Sequence, residues 1–300
     1  MTFHLHPPAH PRYVVSLEPG LQDALLTPDR AAADLLRLLD DSRAFAAVHL
    51  PASDVAREPL LRASALTARL PRTGLIAEVD IARKHPVNVA RALVSLSHLS
   101  GHRAGWGLRP ADEAALRAHN PWLADTPANA GAGSIRREFA ALVTALSRSW
   151  PYESLIGDRA RGWFHVEGAI GTIRHRGNFA VEGVLNIPSA PHGAIPFLTF
   201  DTDTELRGHL RVGREPVRSP AADAADVALF PIEAPSNAVI GPLVDQPVLY
   251  FVTGIRHAEQ VRALKRDAEL ARPDDEPAEA DASIWDLLGV RPSVAALDPV

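Results

Sequence analysis

Short apolar runs alternate with amphipathic helical stretches between Arg12 and Leu108, and this alternation restricts the fold more than any other feature of the chain. "RYVVSLE" (Arg12–Glu18) reads as a strand stopped by Pro19-Gly20. "TPDRAAADLLRLLDD" follows as a helix, with Thr27 as its cap, Pro28 in its first turn and Leu35, Leu36, Leu38 and Leu39 as its buried stripe. "FAAVHLP" (Phe45–Pro51) is apolar almost throughout, as suits a parallel strand buried on both faces. "EPLLRASALTARL" and "RTGLIAEVDIA" (Arg72–Ala82) repeat helix and strand. In "HPVNVARALVSLSHLSGHRAGWGL" (His85–Leu108), Val89, Ala92, Leu93 and Leu96 mark one face of a helix, Gly101 ends it, and the chain returns to a strand. Strands joined through helices lie parallel, and their crossovers are right-handed. The expected class is α/β with a parallel sheet.

Past Leu108 the period weakens. Residues 109–133 read as a long loop, and Ser134 is placed to cap a helix whose Phe139, Leu142, Val143 and Leu146 share a face. "HRGNFAVEG" sets turn glycines around alternating residues, which predicts a β-hairpin inside an insertion at about 150–193. Ile195–Phe200, Ala225–Pro231 and Gln246–Gly254 bring the strand count to about seven. A TIM-type barrel needs eight. An open doubly wound sheet accepts seven, but its dinucleotide fingerprint is absent. The expected organisation is one barrel domain over 1–265, then an acidic Pro/Ala-rich linker and a short terminal segment over 266–300.

Composition removes several classes. A formal net charge of −5 argues mildly against a nucleic-acid surface, which normally needs a basic face. The chain has no cysteine, so thiolate catalysis, disulfides and cysteine–zinc sites are excluded. "MTFHLHPPAHPRYVV" lacks the pattern of a secretory signal, and no apolar stretch approaches the length of a membrane span, so a cytoplasmic protein is expected. No metal site is expected: "DTDTE" lacks the glycine and late glutamate of a calcium loop, and His4, His6 and His10 lie in a proline-rich lead. His49, His85 and His98 stand alone in the sequence, as hydrogen-bonded structural histidines do.

The stretch His85–Leu108 is distinctive. It resembles the bacterial luciferase-like flavin-dependent monooxygenases, in the branch with the nitrilotriacetate, pristinamycin-synthesis and dibenzothiophene-sulfone enzymes. That branch typically reads P-Y-N-x-A-R-x-x-x-S-L-D-H-L-S-G-G-R-x-G-W-N here, and Pro86, Asn88, Arg91, His98, Gly101, Arg103, Gly105 and Trp106 are among the matches. "HRGNFAVEGVLNIPSAPHG", "AADAADVALF" and "DLLGVRPSVAALDPV" are similar to further stretches of the family.

The resemblance implies a TIM-type (β/α)8 barrel with a hairpin insertion and its pocket at the C-terminal ends of the strands. Relatives continue past the point matching Val300, so the barrel is expected to be incomplete at the C-terminus. Its first and last strands would then be left as open edges. "SIWDLLGV" or a homo-oligomer could cover them. The implied activity is oxygen insertion into a small organic substrate, using reduced FMN from a separate flavin reductase. The implied cofactor residues are Trp106 and Gly107 under the ring, with Thr199, Thr202 and Thr204 near the phosphate. His85 is the candidate catalytic group.

The chain also departs from the pattern. The family's acid after the second strand is Ala52 here, and "EVD" (Glu78–Asp80) stands where a small hydroxyl residue is usual. The tyrosine ahead of the family's E-F pair falls near Gly133, although Glu138 and Phe139 remain. Asp201 and Asp203 fall on the phosphate loop, and two carboxylates there would repel a dianion. These departures leave a second reading open, a non-catalytic barrel that binds another ligand or a partner.

Overall fold

The computed structural model describes residues 12–42, 44–53, 58–123, 132–200, 206, 208, 210–213, 227–233, 249–271 and 282–288. Eight parallel strands close into a barrel: β1 (Arg12–Leu17), β2 (Phe45–Leu50), β3 (Gly74–Val79), β4 (Ala104–Leu108), β9 (Phe197–Phe200), β10 (Leu210–Val212), β11 (Val227–Glu233) and β12 (Leu249–Ile255). The intervening strands form two antiparallel hairpins in the insertion after β4, namely β5 (Leu155–Asp158) with β6 (Trp163–His165), and β7 (Ile173–Arg176) with β8 (Ala180–Gly183). The helices are α1 (Pro19–Leu25), α2 (Arg30–Asp40), α3 (Pro59–Leu66), α4 (Pro86–Leu99), α5 (Glu113–His119), α6 (Ala132–Ser147), α7 (Ala258–Ala271) and α8 (Ile284–Leu287).

The barrel is TIM-type, as the sequence pattern predicts, but the expected open edges are absent. Tyr13 pairs with Tyr250 and Val14 with Phe251, so β12 closes the ring against β1. The strand missing from the sequence count is β10, three residues within "ELRGHLRVG" that join β9 to β11. A strand this short shows no usable period.

Three local expectations also change. Thr27 is not the cap of α2. Asp29 caps it, accepting from Ala32 N–H at 2.7 Å, while Thr27 Oγ1 donates to Asp29 at 2.6 Å. Residues 109–133 contain α5 and a 3-10 turn at Pro121–Leu123, with Asp112 capping α5. Helix α6 starts at Ala132, so Ser134 lies inside it. The α4 prediction holds: Pro86 occupies its first turn, Val89, Leu93 and Leu96 are buried, and Gly101 has φ +64°. A side chain would strain that left-handed position.

Two apolar layers follow from strand alternation. Tyr13, Phe45, Leu75, Trp106, Phe197 and Tyr250 pack outward against the helices. Val14, Ala47, Ile76, Leu198, Leu210, Leu229 and Phe251 fill the barrel axis. Helix α8 plugs the N-terminal end of this inner core. Ile284 is buried with it, and Cβ atoms built on Gly74 and Gly105 would lie 3.3 and 3.1 Å from the Ile284 Cδ1. The plug is also tied through its backbone: Ile284 N–H donates to His102 O at 3.0 Å, and Arg12 donates to Leu287 O at 2.5 Å. Ser283 and Asp286 form a capping box around it.

Hairpin β7–β8 is held to α6 by one carboxylate. Glu138 accepts from Phe179 N–H at 2.8 Å, Asn178 N–H at 2.9 Å and Asn178 Nδ2 at 2.6 Å, and His175 Nε2 lies at 2.9 Å. Gly177 permits this approach, since a Cβ there would come within 2.6 Å of Glu138 Oε1. Burial raises the pKa of Glu138, but the hydrogen bonds from Phe179, Asn178 and His175 outweigh it and hold the carboxyl below its ordinary range.

Two predictions follow from this packing. Ile284→Ala is expected to destabilise the protein by about 2–4 kcal/mol, measured as a lower thermal midpoint with faster amide exchange at the start of β3 and β4. Glu138→Gln is expected to cost about 2–4 kcal/mol at neutral pH, because an amide cannot accept from every donor in the cradle. Since the folded pKa is depressed, the stabilisation is full above the ordinary carboxylate range and is lost as pH falls through the folded value. The gap between variant and wild type should therefore close in acid, as followed by denaturant unfolding.

Candidate functional site

At the C-terminal end of the barrel the inward-facing positions turn polar. Ser16 lies two residues beyond Val14, Glu78 two beyond Ile76, and Phe200 two beyond Leu198, so all three follow inner-core residues toward the axis. His49 on β2 joins them. Its Nδ1 is 2.9 Å from Ser16 Oγ, and its ring stands edge-on to Phe251 and Phe200 at centroid distances of 5.2 and 6.5 Å. Phe200 and Phe251 themselves meet edge to face at 5.6 Å.

His49 is 2% exposed, and among the described residues its Nε2 has no hydrogen-bond partner. Burial drives its pKa from 6.5 down to about 3, so the ring is neutral at physiological pH. The buried Glu78 carboxylate accepts from Ala52 N–H at 2.8 Å. Its pKa is raised, first by burial, against the lowering effect of the Ala52 hydrogen bond and of Arg109. Above it Arg109 pairs with Asp80 at 3.3 Å, both partly exposed. The arrangement is a buried, mostly apolar layer at the C-terminal end of the barrel that carries one neutral imidazole, whose Nε2 has no partner among the described residues, and one carboxyl whose pKa burial raises. It can hydrogen-bond a flat polar edge and exclude water from the faces beside it.

The residues singled out from sequence are distributed differently. Trp106 and Gly107 are neighbours on β4 and face opposite sides. Trp106 is buried in the outer layer against Phe197, at 4.4 Å between ring centroids. Gly107 faces the axis beside Leu198, whose carbonyl oxygen would lie 3.2 Å from an added Cβ. Thr199 faces outward with Phe197 and donates to Leu210 O at 3.3 Å. Thr202, Thr204, Asp201 and Asp203 lie outside the described residues.

His85 is the N-cap of α4, its Nδ1 accepting from Val87 N–H at 3.4 Å. Its ring packs between Trp122 and Phe179 rather than at the barrel axis, and burial lowers its pKa. Ser16, His49, Phe200 and Phe251 are therefore the side chains in contact, and Glu78 takes the axis-facing position on the neighbouring strand β3. The sequence marks Glu78 only as a departure at the third strand and His49 only as an isolated histidine. Position on the strand, inward and near its C-terminal end, is the signal that unites them.

No helix among the described residues is long and apolar enough to cross a membrane. No family model matches the chain. It is similar to N-acetyl-S-(2-succino)cysteine monooxygenase of Bacillus subtilis, 28% identical over 178 residues, which are 56% of this chain and 38% of that protein. It is also similar to dibenzothiophene-sulfone monooxygenase of Rhodococcus erythropolis, 29% identical over 140 residues, 46% of this chain and 31% of that one. The matches thus span between 31% and 38% of these relatives' length. Among solved structures, long-chain alkane monooxygenase shares the fold with a TM-score of 0.60 at 14% identity, over 78% of this chain and 65% of that one.

The burial of His49 makes a pH prediction. Between pH 6.5 and about 3 the unfolded chain binds a proton at His49 that the folded protein does not, so folding stability falls as pH falls through that window. Glu78 acts in the opposite sense, losing stability as pH rises through its raised pKa, but equally in wild type and variant. His49→Gln is expected to remove on the order of 3 kcal/mol of the stability lost between pH 7 and pH 4, as read by urea unfolding at both values.

Proposed function

We propose that this chain is a flavin-dependent member of the luciferase-like monooxygenases, a reading supported by its partial similarity to curated monooxygenases and by the fold it shares with solved ones. It inserts oxygen into a small organic substrate with reduced FMN delivered by a separate reductase. The observation that carries this reading is the polar set Ser16, His49 and Glu78 facing the axis at the C-terminal end of the barrel, with a His49 nitrogen that has no partner among the described residues.

An isoalloxazine ring is flat, apolar on its faces and rich in acceptors and donors along one edge. The described residues fit that end of FMN. Phe200 and Phe251 supply apolar walls, Gly107 leaves the axis-facing side of β4 free of a side chain, and His49 Nε2 is available for a polar edge. Bound reduced flavin supplies the electrons that activate molecular oxygen.

The chain's own groups bind and orient. His49 stays neutral and is held in place by Ser16. Burial raises the pKa of the Glu78 carboxyl near the end of β3. Its carboxyl reaches Ala52, the position at which the family pattern carries its own acid, so the acidic group is supplied from the neighbouring strand. The aromatic walls keep water from the reacting face. Asp80 and Arg109 pair just beyond the C-terminal ends of β3 and β4.

The sequence favours one alternative. Asp201 and Asp203 at the phosphate-loop positions oppose a phosphate and support a barrel that binds another ligand or a partner without catalysis.

Anaerobic titration of the protein with reduced FMN separates the two. Binding in the micromolar range, weakened about tenfold by His49→Phe, is the expected result. No binding at hundreds of micromolar would reject the monooxygenase reading in favour of the alternative.

A further inference from the structure

The hairpin β5–β6 stands apart from the rest of the insertion. Both of its faces are open: Phe164 is 74% exposed and Trp163 57%, with Ile156 and Val166 exposed beside them. A two-stranded hairpin without a core is marginal in water, and contiguous apolar surface on a projecting element marks a contact. At its base Trp150 meets the ring of His165 edge-on, at 6.0 Å between centroids. Beside it Val166 N–H donates to Ser154 O at 2.8 Å.

That hydrogen bond sets the direction of the β6 backbone. Successive residues of a strand turn their N–H and C=O groups to opposite edges. With Val166 directed at β5, Phe164 is directed there too, and Trp163 and His165 turn their backbone groups to the other edge. Among the described residues no strand pairs with that edge.

We propose that β6 pairs antiparallel with β6 of a second copy of this chain, about a two-fold axis through Phe164. Trp163 of each copy then exchanges backbone hydrogen bonds with His165 of the partner subunit. The two Phe164 side chains meet in the non-hydrogen-bonded pair, where cross-strand side chains approach most closely.

The occupant is named by charge. An isologous contact must be complementary to itself. Arg161 lies three residues before Phe164 and Glu167 three after it, so a two-fold axis through Phe164 brings each Arg161 toward Glu167 of the partner subunit. Arg161 is 70% exposed, lies over Trp163 at 5.6 Å and is 3.7 Å from Asp158 of its own hairpin, a partly solvent-exposed pair that leaves the guanidinium able to reach a second carboxylate. The hairpin and its flanks carry Glu153, Asp158 and Glu167 against Arg159 and Arg161, so both signs are present and no single-sign field repels an identical copy. A partner of one strong charge would find no matching field here.

Sedimentation velocity from micromolar to hundreds of micromolar protein tests this, with circular dichroism confirming that each variant is folded. The wild type is expected to dimerise reversibly. Phe164→Asp and Arg161→Glu are each expected to weaken the dimer by about tenfold or more, and adding Glu167→Arg to Arg161→Glu is expected to restore it. A wild type that stays monomeric throughout the range overturns the proposal. So does a dimer indifferent to Phe164→Asp, and so does a double reversal that fails to recover association.

Discussion

The ladder between β1 and β12 is the contact on which the rest of this molecule depends. It turns a row of βα units into a closed ring, so no barrel strand is left with an unpaired edge. Closure also fixes the interior. The axis is only wide enough for side chains, and they must fill it in layers. At the N-terminal end this is met by leaving room at Gly74 and Gly105 and sending Ile284 into it from α8. At the opposite end the layer gives way to the polar residues Ser16, His49 and Glu78.

Burial decides what those groups are. In water His49 and Glu78 would sit on the usual sides of neutrality, one part-charged and one ionised. Inside the barrel both are pushed toward their uncharged forms. Their linkages run in opposite directions with pH: His49 costs stability as pH falls from 6.5 toward about 3, and Glu78 costs it as pH rises through its raised value. This end of the barrel owes its chemistry to desolvation more than to any ion pair, and the Asp80–Arg109 pair beside it remains partly in solvent.

The two hairpins of the insertion show what an anchor does. Hairpin β7–β8 wraps the Glu138 carboxylate with backbone and side-chain donors, and Phe179 is buried behind it. Hairpin β5–β6 has no comparable grip, and its aromatic residues face outward. The motif residues Gly177 and Asn178 are explained by the first arrangement: one makes room for the carboxylate and the other donates to it twice.

By itself the sequence determined the βα alternation, the helix Pro86–Leu99 with its glycine stop, and the hairpin around Gly177, because each rests on local periodicity or a single backbone requirement. It did not determine β10, which is too short to carry a period. Nor did it identify the axis-facing set. A strand such as "FAAVHL" is buried on both faces, so its pattern does not show which side chains look inward. Only closure of the ring assigned His49 and Glu78 to the axis and Trp106 to the outer layer. The physical reason is that facing is a property of a strand's neighbours, and those neighbours come from distant parts of the chain.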